Sequence, residues 1–191
     1  PDMLIDSIPP VSQIEEISIE RPEIYFGELT NNYILVKTDE EEFDYPDGSS
    51  NTYTLYEGDA GIELNMLNRL MFSIRERTMK LLVSTNINSD SRIVINRNIK
   101  DRVQEIMPFL SYDPYIVTAD GKLYWIIDAY TMSDNYPYSA PFSDMSKVNY
   151  IRNSIKVVID AYNGTTSYYL VDDSDPIANT MKKIYPDLFK D

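Results

Sequence analysis

Leu64, Leu67, Leu70, Met71 and Ile74 recur at intervals of three and four residues, with Asn68, Arg69 and Arg75 largely on other faces. That spacing predicts an amphipathic helix of roughly four turns whose apolar face packs on a sheet. Leu81, Leu82 and Val83 follow as a run too short for periodicity to separate helix from strand, and are assigned to a second short helix. Ile99, Val103, Ile106 and Met107 repeat the helical spacing. Asn98, with Asp101 three residues on, opens this helix as a capping box, and Pro108 closes it. A last helix is announced by Asp175 as N-cap with Pro176 at its first position, and Pro186 stops it.

Elsewhere the period falls to two. Asp120-Gly121 separates apolar runs at 115–119 and 122–131, and Asn163-Gly164 separates runs at 150–162 and 165–172. Both dipeptides tolerate the positive φ of tight turns, so each predicts a β-hairpin. The longer arms echo each other: Trp125-Ile126-Ile127-Asp128-Ala129-Tyr130 matches Val157-Val158-Ile159-Asp160-Ala161-Tyr162 in character. Alternation sets Trp125, Ile127, Ala129, Val157, Ile159 and Ala161 on core faces, with Asp128, Tyr130, Asp160 and Tyr162 on the opposite ones. Residues 92–96 read as a short strand. Residues 23–38 read as a pair of strands around Asn31-Asn32, with Gly27 at a bulge. Pro9, Pro10 and Pro22 make 1–22 an extended arm. Acids mixed with Pro46, Gly48, Ser49, Ser50 and Asn51 make 39–61 a long mobile acidic surface loop. The expected architecture is α+β. A mainly antiparallel sheet is built from hairpins at about 115–131 and 150–172, with three or four helices packed on it, and residues 23–191 form one domain.

A chain of 191 residues is long enough for one such core and too short for two ordinary domains. Asp and Glu number 31 against 17 Lys and Arg, and the net charge of -14 repels phosphate backbones and anionic headgroups, so nucleic acid is not an expected partner. The chain has no Cys and no His. Ser/His and Cys/His catalysis, thiol chemistry and zinc sites built on either residue are thereby excluded within it. No run of 18 apolar residues occurs, so the chain is not expected to span a membrane itself, and a start at Pro1 reads as an excised fragment.

The remaining candidates for chemistry are carboxylates. If the echoed strands are neighbours, Asp128 and Asp160 could share a proton or a cation in the manner of an acid/base pair. The alternative is that each ends a strand and binds the adjoining turn. Asp172, Asp173 and Asp175 offer oxygen ligands for calcium or another divalent cation, or else plain capping roles, since the Gly and terminal Glu of an EF-hand loop are absent. Glu40, Glu41, Glu42, Asp44 and Asp47 form the densest acidic run. Arg92, Arg97, Arg102 and Arg152 suit either an anionic ligand or internal salt bridges. The 16 tyrosines, Tyr136 and Tyr138 among them, could line a glycan or peptide surface.

Several stretches together resemble a known family. They are Pro22 to Glu28, Glu42 to Pro46, Pro108 to Leu110, Leu123 to Thr131, Tyr136 to Ser139, Asp175 to Ile177, Tyr185 to Phe189 and, most specifically, Asn149 to Gly164. In order and over nearly everything after Arg21, the chain is similar to the large bacterial multi-pass membrane proteins of uncharacterised protein family UPF0182. It departs from their pattern at Met107, where a small residue is usual, and in a shorter Tyr112-Asp113-Pro114 turn. The resemblance implies a parent with several membrane-spanning helices and a large extracytoplasmic region of which this chain is a segment. It implies no established activity. The expectation is a non-catalytic extracytoplasmic binding or structural module, its partners being the rest of the parent and an extracellular protein or glycan. The alternatives are a cation-dependent or carboxylate-based hydrolase and a ligand- or cation-sensing domain.

Overall fold

The computed structural model describes residues 18–143 and 146–190, so most of the expected N-terminal arm lies outside the described residues. The two predicted hairpins form one meander. Strand β6 (Ser111–Ala119) turns at Asp120 and Gly121, at φ of 49° and 73°, into β7 (Lys122–Ser133), which pairs antiparallel with β8 (Tyr150–Asp160). β9 (Thr166–Leu170) continues the sheet, and β10 (Phe189–Lys190) joins its edge in parallel. The order is β10-β9-β8-β7-β6. Here the alternation read from the echoed arms holds within the strands, with Ile127, Ala129, Val157, Ile159 and Ala161 fully buried, but Tyr162, expected on the opposite face, lies past the end of β8 and is buried in the same core beside Ala161. The connection after β8 is five residues long rather than two, and Gly164 sits in it at φ 67°. A Cβ there would meet the Phe26 ring, so the turn is a seat for that ring as well as a reversal.

Helix α3 (Ile99–Ile106) covers this core. Asn98 Oδ1 accepts from the Lys100 and Asp101 N–H groups, as the capping reading requires. Ile99, Val103 and Met107 are buried, but Ile106, expected inside, is exposed at the last position of the helix, just where Tyr112 donates to the Val103 and Met107 carbonyls. Helix α4 (Pro176–Ile184) begins at its predicted cap, Asp175, with proline at the first turn, and buries Ala178.

The segment 23–38 corrects the sequence reading. Only β1 (Ile34–Val36) is a strand, and it pairs with β5 (Arg92–Val94). Tyr25 and Phe26 are both buried in succession, which no alternating strand allows. Their N–H groups go to the Ala161 carbonyl, and Gly27 makes a lone parallel bridge to Asn98. Residues 39–61 hold a hairpin, β2 (Glu42–Asp47) with β3 (Ser50–Thr54), inside what the sequence presents as a loop. Phe43 faces Tyr53 edge-on across it, and Gly48 supplies φ 59° at its tip.

β4 (Ile62–Glu63) pairs with β5, completing a three-stranded sheet in the order β1-β5-β4. Helices α1 (Met66–Arg75) and α2 (Lys80–Val83) stand beside this sheet on a small second core of Leu64, Phe72, Leu81, Ile87 and Ile93. The predicted helix exists with Asn65 as its cap, but it does not lay its apolar stripe on a sheet. Phe72 and Ser73 face inward, while Leu67, Leu70, Met71 and Ile74 are exposed. No helix among the described residues is long and apolar enough to cross a membrane.

Candidate functional site

Strand register decides how the two echoed carboxylates sit. Asp128 lies opposite Lys156, while Asp160 lies opposite Tyr124, four pairs further along. At about 3.3 Å per residue that separates the two by roughly 13 Å. Asp128 is ion-paired with Lys156 and accepts from Asn153 Nδ2 at 2.9 Å. Burial pushes its carboxyl up, but the Lys156 and Asn153 hydrogen bonds outweigh this and hold it below the ordinary Asp value. Asp160 Oδ1 accepts from the N–H groups of Tyr162 and Asn163 at 2.8 and 3.0 Å, fixing the turn it precedes. The structure does not bring the two together.

The acids before α4 also divide by role. Asp175 is fully buried. It accepts from the hydroxyls of Thr131 and Tyr150 and from the Ile177 N–H, so a single carboxylate caps α4 and ties it to β7 and β8. Burial opposes its ionisation, yet the hydroxyls of Thr131 and Tyr150 and the Ile177 N–H hold it below the ordinary Asp value. Asp172 pairs with Arg152 and accepts from the Ser174 hydroxyl, and the Asp173 carbonyl accepts from Asn179. Among the described residues no group of three or more His, Cys, Asp or Glu side chains is placed to hold a metal ion.

The four arginines singled out from the sequence are all engaged within the molecule. Arg152 and Arg92 form ion pairs with Asp172 and Glu63. Arg97 instead donates to the carbonyls of Tyr25 and Asn32, and Arg102 lies 5.1 Å from the Phe26 ring centre. Burial lowers the pKa of both. Tyr136 stacks on Tyr150 with centroids 4.5 Å apart, whereas Tyr138 is wholly exposed.

The most elaborate polar arrangement is one the sequence did not indicate. Tyr25, Tyr56 and Tyr162 meet in a triangle with centroids 4.6 to 5.1 Å apart, capped by the Arg21 guanidinium 4.4 Å above Tyr162. The Tyr56 hydroxyl donates to Asn163 Oδ1 at 2.7 Å and accepts from the Ala60 N–H, and burial pushes it up to about 12. Glu42 accepts from Tyr25 and from the Lys37 and Tyr56 N–H groups, anchoring β2 to the cluster. Gly58 is required beside it, since a Cβ there would collide with Asn163 Oδ1 and Tyr56. Tyr56 and Asn163 are 107 residues apart, and only the count of tyrosines hinted at such a cluster.

Next to the triangle opens a cleft of about 570 Å³, lined by Glu23, Tyr25, Tyr33, Leu35, Phe43 and Arg97 among others. Glu23, which lines this cleft, has its Oε2 buried without a hydrogen-bond partner among the described residues. With an apolar wall and a guanidinium held only by carbonyls, the cleft can accept a small polar ligand.

A profile of the family described as Uncharacterised protein family (UPF0182) matches residues 1–191. A UPF0182 protein of Alkaliphilus metalliredigens is 55% identical over 192 residues, covering all of this chain and 20% of its own length. One of Clostridium acetobutylicum is 54% identical over all of this chain and 21% of its own length, and one of Desulfitobacterium hafniense 50% over all of it and 20%. The chain thus spans about a fifth of the length of the curated relatives it matches. No solved structure matches it.

Proposed function

We propose, on the premise that this chain belongs to the uncharacterised protein family UPF0182, that it is a non-catalytic module of a larger multi-pass membrane protein. It works on the extracytoplasmic face of the bacterial membrane by binding or bracing its surroundings. The observation that carries this reading is the division of labour among the side chains. Asp128, Asp160, Asp172 and Asp175 are each committed to a lysine, a turn, an arginine or a helix cap. The apolar stripe of α1, by contrast, is committed to nothing within the described residues. A chain spanning a fifth of its relatives has much potential partner surface in the rest of such proteins. The test is to purify the parent lacking this segment in detergent and add the 191-residue chain. Co-migration on size exclusion, with loss of parent stability when the segment is removed, supports the reading. No association and an unaltered parent overturn it.

A second reading, a ligand- or cation-sensing domain, is favoured by the unpartnered Glu23 Oε2 beside the cleft. A saturating rise in melting temperature with calcium, magnesium or manganese, abolished by Glu23→Gln, would select it.

A further inference from the structure

The open side of α1 is its apolar side. Met66, Leu67, Leu70, Met71 and Ile74 are 72%, 65%, 46%, 59% and 71% exposed. At 100° per residue they span an arc of about 140°, with the buried Phe72 and Ser73 outside it. The adjoining α2 adds the exposed Met79 and Val83. This outward orientation is locked. Arg69 donates from Nε and Nη2 to the carbonyls of Leu81, Leu82 and Ser84 at 2.7 to 3.0 Å, pinning α1 to the end of α2, and Asn65 caps the start of α1.

The hairpin's own segment carries a charge opposite to that of the chain as a whole. Residues 64–89 carry four cations, Arg69, Arg75, Arg77 and Lys80, against one carboxylate, Glu76, within a chain of net charge -14. Arg69 is used internally and Arg75 also contacts Glu76 at 3.4 Å, but Arg75, Arg77 and Lys80 are all exposed. An aliphatic and thioether stripe flanked by cations is the chemistry of a helix lying in the headgroup layer of a bilayer. A protein partner would ordinarily be met by aromatic anchors, and none stands among these seven residues. A second copy packed face to face on a two-fold axis would set the three cations against themselves.

We propose that the α1–α2 hairpin docks on an anionic lipid surface, its stripe entering the acyl boundary while Arg75, Arg77 and Lys80 meet headgroup phosphates. The acidic remainder of the chain opposes this only weakly beyond a Debye length of about 8–10 Å. The inference goes beyond the module reading and stands or falls separately from it.

The test is flotation of the 191-residue chain with phosphatidylcholine vesicles, with and without phosphatidylglycerol. The expected result is binding that needs phosphatidylglycerol and weakens with salt. Neutralising the charges in Arg75→Gln/Arg77→Gln/Lys80→Gln should weaken it by about 100-fold. Leu70→Glu/Ile74→Glu should abolish it, with melting temperatures unchanged because the positions are exposed. The proposal is overturned by no flotation with phosphatidylglycerol, by equal flotation of the variants, or by a vesicle-free dimer that Leu70→Glu/Ile74→Glu dissociates. Capture by the detergent-purified parent, lost in Leu70→Glu/Ile74→Glu while vesicles are ignored, would also overturn lipid docking and leave the module reading standing.

Discussion

Helices α1 and α3 look alike on paper. Each begins at an asparagine cap, each repeats apolar residues at three and four, and each has been folded beside a sheet. In the molecule they are opposites. α3 buries Ile99 and Val103 completely against the β7–β8 core, whereas α1 shows its stripe to the outside and rests on Phe72 and the small second core. Periodicity establishes that a helix has an apolar face. It says nothing about which molecule supplies the cover, and for a chain spanning a fifth of its relatives the cover need not be its own.

The contrast is most directly broken by truncation on both sides. Ile99→Ala should cost about 2–5 kcal/mol in urea unfolding, through lost burial and the cavity left behind. Should it cost no more than Ile74→Ala, the two faces are not opposites. Asp175→Ala comes next, at about 2–4 kcal/mol, since it removes a helix cap and leaves the Thr131 and Tyr150 hydroxyls without their acceptor. The same carboxyl carries a pH signature. Its folded pKa lies below the ordinary value, so its stabilisation is complete above about pH 4 and fades as pH falls through the folded pKa. The stability gap between the native chain and Asp175→Asn should therefore narrow on acidification below about pH 4, and a gap that widens would contradict the assignment. Tyr56→Phe should cost about 1 kcal/mol, because the ring stays in the triangle while the hydrogen bond to Asn163 is lost. Lys156→Met breaks only a partly exposed pair and should cost under about 1 kcal/mol. Ile74→Ala, on the open face of α1, should change stability by no more than about 0.5 kcal/mol.

What the sequence made legible follows the same line. The β6–β9 meander was readable because a period of two and turn dipeptides are local signals, and Ile127, Val157 and Ile159 fell where alternation put them. The caps Asn98 and Asp175 were readable because a cap acts within three residues of itself. The segment 23–27 was not, since its apolar residues serve as a cover whose backbone bonds lie at Ala161 and Arg97, far along the chain. The β2–β3 hairpin was hidden because Pro46 and the unevenly spaced Glu42, Asp44 and Asp47 break the period of two that marks a strand. As for the candidate site, residue types suggested a meeting of Asp128 and Asp160, but register set them four pairs apart, and register is not written in either strand alone. The tyrosine triangle depends on three distant segments and had no local sign.

The chain contains no Cys, which allows one thiol at a time to report on the apolar face of α1 in place. In a parent protein whose own cysteines have been replaced, Leu70→Cys would be compared with Ser49→Cys at the exposed tip of the β2–β3 hairpin, using a membrane-impermeant maleimide added to intact cells. Rapid labelling of Ser49→Cys is expected, with protection of Leu70→Cys until detergent is added. Equal labelling of both would show that nothing covers α1, and labelling of neither would place the module on the other side of the membrane.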